Sequence, residues 1–355
     1  MNIIVSLVGL AIVMLAIVDA LNTLLANRPR TGKFWPTTLM YRSTWRPWRA
    51  ACKRMKDDKR RESVLAVYGP VSLLVLLTMW IVIEITGWSL LWFGIRGHLS
   101  GVKTLGDSSY FSAVVFFTVG FGDILPKDGG ARFFVLFEAL TGVGTTALVI
   151  GYLPTLYSAY SQRETLLLTL DDFTGEQIRP MGLVMSHLTG DDFHELDDFF
   201  REWERWCAHV LESHTSFPTL TLWRSQHEGQ SWVTAIGVVT DAALVVAVGC
   251  VGAQKSAAMR CVRRGAKTIQ VLAARFNLPL DPSKAMTRQE FDWAYDRMID
   301  SGLPIREREE LWPDFRDQRA VYQLHLEALI DYLVAPRGFW GHTIDGNTPL
   351  VESGF

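Results

Sequence analysis

Alternating polar and apolar stretches, the mark of half-buried strands, are nearly missing from these 355 residues, which excludes a large sheet. Cysteine is scarce. Cys52, Cys207, Cys250 and Cys261 form no C-x-x-C pair, so neither a zinc ligand set nor a disulfide framework is expected, and packing is their expected use. Glycines nowhere fall as G-x-G-x-x-G after a strand, and Gly249 with Gly252 is too sparse a pair, so a dinucleotide-binding unit has no support. P-loop, EF-hand and cyclic-nucleotide patterns are missing too. The histidines are scattered: His187 with His194, and His209 with His214, lack ligand company. Asp171-Asp172, Asp191-Asp192 and Asp197-Asp198 read as solvated acids near helix starts. No nucleophile–base arrangement can be assembled, so the expectation is a non-enzyme without a cofactor.

Long apolar runs are present. Ile3–Ala26, Val64–Phe93 and Phe133–Tyr157 each reach the roughly 20 residues needed to cross a bilayer. The first lacks a basic leader and an A-x-A site, so it reads as a retained span rather than a cleaved signal. Between the first two, residues 28–61 hold 12 Lys or Arg against Asp57 and Asp58, in a chain whose net charge is −2. The positive-inside rule puts that loop in the cytoplasm, the N-terminus outside, 94–132 outside and everything after about 160 inside. Localisation in a bacterial plasma membrane follows as the expectation.

Between the second and third runs lies Thr118-Val119-Gly120-Phe121-Gly122-Asp123, preceded by an apolar stretch, Tyr110–Phe117, suited to a short helix. Carbonyls that line a pore must all face one way along an extended strand, which demands backbone angles that L-residues resist and glycine takes freely. Gly120 and Gly122 stand at alternate positions, where that demand falls. Val119 and Phe121 are then expected to point away from the axis and pack behind the strand.

Thr118–Asp123 resembles the signature of the pore-loop potassium channel superfamily, and the flanking runs resemble its two-helix pore module, over roughly residues 63–160. The resemblance implies potassium ions coordinated by Thr118, Val119, Gly120, Phe121 and Gly122, with Asp123 at the outer mouth. Because the motif occurs once, it also implies a homotetramer. Phe117 departs from the pattern, standing where many members carry a second threonine, which bears on gating stability more than on ion choice.

Around the motif, Asp107-Ser108-Ser109 offers N-cap chemistry for the short helix, and Trp88 and Trp92 suit either the membrane interface or packing against that helix. Gly142 and Gly144 are candidate hinges, close approach being the alternative role. Glu84 and Glu138 are acids inside spans and candidate supports for the filter. Thr145 and Thr146 are candidate cavity residues.

The expected fold is an all-α membrane protein in four parts: an N-terminal span (1–27), a basic cytoplasmic or interfacial linker (28–62), the pore module (63–160) and a helical cytoplasmic domain (161–355). In the linker, Phe34, Trp35, Tyr41, Trp45 and Trp48 interleave with arginines, while Pro36 and Pro47 argue against one continuous helix. Its rings are expected in the headgroup layer and its cations on anionic lipid. Nucleic acid is not an expected partner, because both ends are tethered to the bilayer. Trp232–Gly252 is apolar with Asp241 at its centre and reads as a core helix, a fourth span being the alternative. Further expected helices are 189–214, opening at Thr189, then 287–301, opening on a Thr287–Glu290 capping box, and 306–334, broken at Pro313. The functional expectation is passive potassium conduction gated at the inner helix. The alternatives are a weakly selective cation channel and a membrane-anchored scaffold with a vestigial pore.

Overall fold

The computed structural model describes residues 2–24, 34–174, 180, 183–184, 194–225, 230–252 and 255–336. Arg28, Arg30, Lys33 and the Thr189–Asp192 helix start lie outside the described residues. The described chain is helical, with two isolated β-bridges and no named strand. It divides into two compact units, and α5 contributes to both.

The first unit holds α1 (Ile3–Leu24), α2 (Pro36–Lys53), most of α3 (Asp58–Gly94), α4 (Leu105–Phe116) and the first part of α5 (Gly129–Thr174). Helices α1, α3 and α5 are long and apolar enough to cross a membrane. At 1.5 Å per residue α1 is about 33 Å long, matched to a hydrocarbon core of roughly 30 Å. Helix α1 packs on α3 through glycine. A Cβ on Gly9 would lie 2.4 Å from the Gly87 carbonyl oxygen, and one on Gly87 would lie 2.8 Å from that of Gly9. Backbones this close are the usual solution where lipid offers helices no hydrophobic drive to associate. A turn on, Ser6 donates its hydroxyl to the Leu91 carbonyl at 3.1 Å.

Helix α2 is continuous, contrary to the expectation drawn from its prolines. Pro36 sits in the first turn, where a missing N–H costs nothing, and Pro47 is carried inside the helix. Tertiary contacts outweigh that local defect. Thr44 bonds the Tyr68 hydroxyl at 2.8 Å, and the rings of Trp45 and Trp48 lie 4.8 and 5.6 Å from that of Tyr68. Trp45 is therefore buried in the protein, while Trp35, Tyr41 and Trp48 are half-buried and Phe34 is exposed. Its N-terminus is capped from α1: Asp19 Oδ2 accepts from the Thr37 amide (3.0 Å), the Thr37 hydroxyl (2.6 Å) and Trp80 Nε1 (2.9 Å). Asp19 is 1% exposed and is a third intramembrane acid that the sequence reading overlooked. Its signal was available as the one charge in the first apolar run.

Residues 216–223 also belong to this unit, with Trp223 against Gly69 and Thr219 within 3.4 Å of the Tyr152 hydroxyl.

The second unit is built around α7 (Trp232–Leu244), which continues as a π turn over Val245–Gly249. Around it lie α6 (His194–Ser216), α8 (Lys255–Arg275), α9 (Arg288–Asp300), α10 (Arg308–Ala320) and α11 (Gln323–Leu333). The 232–249 stretch is long and apolar enough to span a bilayer, yet every residue in it is buried in the protein, which leaves no face for lipid. Asp241 is 0% exposed and takes Arg319 Nε at 3.1 Å, Arg319 Nη2 at 2.9 Å and the Tyr322 hydroxyl at 2.5 Å. A buried ion pair survives when its remaining hydrogen-bonding capacity is filled, and here it is. Gly265 lets α8 approach, since a Cβ there would fall 2.1 Å from Thr240 Oγ1. The Thr287–Glu290 capping box forms as expected. The 306–334 helix breaks at Val321–Tyr322 instead of at Pro313. Pro313 lies near the start of α10, where the i−4 partner it forgoes belongs to the first turn.

Candidate functional site

Helix α4 begins earlier than expected. Its N-cap is Thr104, whose hydroxyl accepts from the Asp107 amide at 3.1 Å while Asp107 Oδ2 accepts from the Thr104 amide at 2.8 Å. Asp107 is thus the third residue of a capping box rather than the cap, and Ser108 and Ser109 lie inside the helix. The T-x-x-D spacing was the signal for it.

The end of α4 sets the geometry of the signature segment. The Thr118 amide donates to the Val115 carbonyl at 2.9 Å, and the Val119 amide donates to the Val114 carbonyl at 2.9 Å. These paired bonds make a Schellman motif, whose C′ residue takes left-handed backbone angles. That residue is Thr118, at φ 55°. A β-branched residue resists this region, at a cost of order 1–3 kcal/mol. Gly120 and Gly122 follow at φ 62° and 78°. Left-handed residues therefore alternate at 118, 120 and 122, one more than the glycines alone indicated. Alternation of this kind turns successive carbonyls toward one side of a strand.

Val119 and Phe121 do not pack behind the strand within one chain: they are 52% and 69% exposed. Among the described residues nothing buries either side chain. Asp123 is exposed and lies near Tyr110 of α4. Beyond it the chain pairs back onto residues 98–100, with the Ser100 amide on the Leu125 carbonyl and the Lys127 amide on the His98 carbonyl, both 2.9 Å. His98 Nδ1 and Asp128 Oδ2 stand 2.5 Å apart, and Asp128 Oδ1 caps α5 by accepting from the Ala131 amide at 2.9 Å. Those two contacts hold the Asp128 carboxyl below the usual range, the backbone bond contributing more.

The two acids named from the sequence lie 0% exposed between helices. Glu138 on α5 accepts from Ser112 Oγ of α4 at 2.6 Å and from Trp92 Nε1 of α3 at 2.6 Å. Glu84 on α3 accepts from Thr145 Oγ1 of α5 at 2.8 Å, and its second oxygen has no partner among the described residues. Trp92 and Trp88 are fully buried. Trp92 meets Phe111 edge-on at 5.3 Å and Trp88 donates to Thr141 Oγ1 at 3.2 Å, so both pack against the pore module. Thr145 faces Glu84, while Thr146 is exposed and turns its hydroxyl back to the Gly142 carbonyl at 2.9 Å.

The candidate hinge glycines differ. A Cβ on Gly142 would lie 2.2 Å from the Phe116 carbonyl oxygen, whereas Gly144 faces open space. Gly142 is therefore accounted for by close approach to the end of α4. Among the described residues no group of three His, Cys, Asp or Glu could hold a metal ion.

A helix, a left-handed strand and two long apolar helices around them define an ion-channel pore module. Residues 73–158, which hold α4, the 118–123 segment and most of the two long helices on either side of it, match the family model described as "Ion channel". It is also 25% identical over 203 residues to an uncharacterized membrane protein, YdjJ, of Bacillus subtilis strain 168. That alignment covers 56% of this chain and 58% of the relative, so the similarity spans little more than half of each. No solved structure matches.

Proposed function

We propose that the chain is a potassium-selective channel of a prokaryotic plasma membrane, conducting through a pore ringed by four copies. The observation that carries this reading is the left-handed backbone at Thr118, Gly120 and Gly122, directly beyond α4. Strain held at a non-glycine residue points to a functional demand on that backbone. In the proposal, carbonyls of Thr118, Val119, Gly120 and Phe121, with the Thr118 hydroxyl, replace the water around a dehydrated potassium ion. Gly122 lets the strand leave the axis and Asp123 sets the charge at the outer mouth.

Assembly is supported by what one subunit leaves uncovered. Besides Val119 and Phe121, α5 exposes Phe133, Leu136, Leu140, Val143 and Ile150 along one stripe. Their spacings of three, four, three and seven residues keep them on one side of the helix, as in a helix–helix seam. Glu138 and Glu84 act as braces, tying α5 to α4 and to α3 so that the strand cannot slacken. Gly144 is the remaining hinge position, and the second unit, which shares α5, transmits a gating stimulus. The basic 28–61 segment faces the cytoplasm.

Purified protein in liposomes, with K⁺ and Na⁺ on opposite sides, tests the reading. A reversal potential near that of potassium is expected. A value near zero with robust current makes the chain a weakly selective cation channel. No current under any condition makes it a scaffold with a vestigial pore.

A further inference from the structure

The outward face of α2 is cationic and lacks any acidic residue along Pro36–Lys53. Arg42, Arg46, Arg49 and Lys53 recur at spacings of four, three and four, which puts them on one side of the helix. Arg42, Arg46 and Lys53 are exposed and Arg49 is half-buried, and Arg42 and Arg46 form no ion pair among the described residues. Elsewhere around the helix Met40, Trp45 and Cys52 are buried by packing. Leu39 apart, which is 61% exposed, what α2 offers outward is charge rather than a large apolar surface.

Two membrane-crossing helices fix where that charge sits. The α2 N-terminus is bonded to Asp19, five residues before the end of α1, or about 8 Å along its axis. Tyr68 of α3 holds the middle of α2 through Thr44, Trp45 and Trp48. The N-terminus of α2 is thus held beside the last turns of α1, and its middle beside Tyr68 of α3. Three of its four helical cations are arginines, whose planar fork matches phosphate oxygens in two-bond geometry.

We propose that this stripe is a binding surface for the phosphates of anionic phospholipid headgroups. Attraction of a basic residue near an anionic surface corresponds to about fivefold in affinity per cation.

The test uses the full-length protein in neutral detergent micelles. Fluorescent phosphatidylglycerol and fluorescent phosphatidylcholine are titrated at low salt, with soluble glycerol phosphate as competitor. Wild type is expected to prefer phosphatidylglycerol, and Arg42→Gln with Arg46→Gln to lose roughly 25-fold of that affinity. Arg42→Lys with Arg46→Lys should retain most of it. Arg201→Gln with Arg316→Gln removes the same charge from exposed positions in the second unit and should leave the affinity unchanged. Equal affinity for the two lipids overturns the proposal, as does an undiminished preference in the α2 glutamine variant. Competition by glycerol phosphate as effective as lipid overturns the assignment to a lipid surface. No ion flux enters the readout, so failure here leaves the conduction reading standing, and the reverse.

Discussion

Replacing Glu138 separates the charge of this buried acid from its hydrogen bonds. Its two oxygens receive Ser112 Oγ and Trp92 Nε1, both at 2.6 Å. Glutamine can keep both contacts. Its carbonyl accepts from the indole, its amide donates to Ser112, and the serine hydroxyl turns to the Ile85 carbonyl already 3.2 Å away. Leucine keeps neither: the indole N–H is orphaned, Ser112 retains only the longer bond, and the site is 0% exposed. An orphaned buried donor costs about 1–3 kcal/mol, and the lost second bond adds roughly 1 kcal/mol. Glu138→Leu should therefore destabilise by about 2–4 kcal/mol and Glu138→Gln by less than about 1 kcal/mol. Thermal unfolding in detergent, followed by tryptophan fluorescence, measures the difference. Equal losses in the two variants would refute the donor accounting, because only the ionised carboxylate would then explain the site. Under the proposed function, if the brace also holds the 118–122 segment, surviving Glu138→Leu protein should show reduced K⁺ over Na⁺ preference in the liposome assay while Glu138→Gln does not.

Gly142→Ala forces a Cβ against the Phe116 carbonyl and should cost about 1–3 kcal/mol in the same assay, whereas Gly144→Ala, with space around it, should be neutral or slightly stabilising. Asp241→Leu strands Arg319, 4% exposed, and should lower unit-two stability by about 3–5 kcal/mol in a denaturant titration; adding Arg319→Met should recover most of it. His214 is fully buried, receives Arg163 Nη1 at 3.2 Å and donates from Nδ1 to the Val210 carbonyl at 2.9 Å. Burial, with Arg163 adding to it, holds its imidazole well below the usual 6.5. The unfolded chain then binds a proton that the folded chain refuses, so stability falls as pH drops below about 6.5, at up to roughly 1.4 kcal/mol per unit. Denaturant midpoints at pH 7.5 and 5.0 should show this slope, and His214→Gln should flatten it.

Much of the pore module was legible because its constraints are local. Glycine at 120 and 122 announces a backbone demand, and apolar length announces α1, α3 and α5. Thr118 was expected as a ligand and not as a left-handed residue, because the Schellman closure that puts it in that region depends on where α4 stops. The capping box at Thr104 was hidden by the stronger-looking Asp-Ser-Ser run. In α2, two prolines and a mixture of rings and cations pointed to an irregular interfacial segment. What overrode them is long-range: a carboxylate on α1 and a tyrosine on α3. Asp241 shows the same limit, since its cost is visible in the sequence while the arginine and tyrosine that offset it lie about 80 residues away.

The three buried acids of the first unit follow one logic. Lipid is as apolar as leucine, so apolar faces alone do not specify how α1, α3, α4 and α5 register against one another. Each acid needs donors it cannot find on its own helix, and each finds them on another: Asp19 on α3 and α2, Glu84 on α5, Glu138 on α3 and α4. Sliding any of these helices by one residue would break those bonds in surroundings where water cannot replace them. The Glu138 link has the furthest consequence. Ser112 is six residues before Thr118, so a bond that fixes the last turns of α4 also fixes the carbonyls of Val114 and Val115 that close its end. The left-handed angle at Thr118, and with it the phase of the whole 118–122 alternation, is set from that closure. A change at an acid on α5 thus reaches the strand through two hydrogen bonds and one helix terminus, with no contact between the acid and the strand itself.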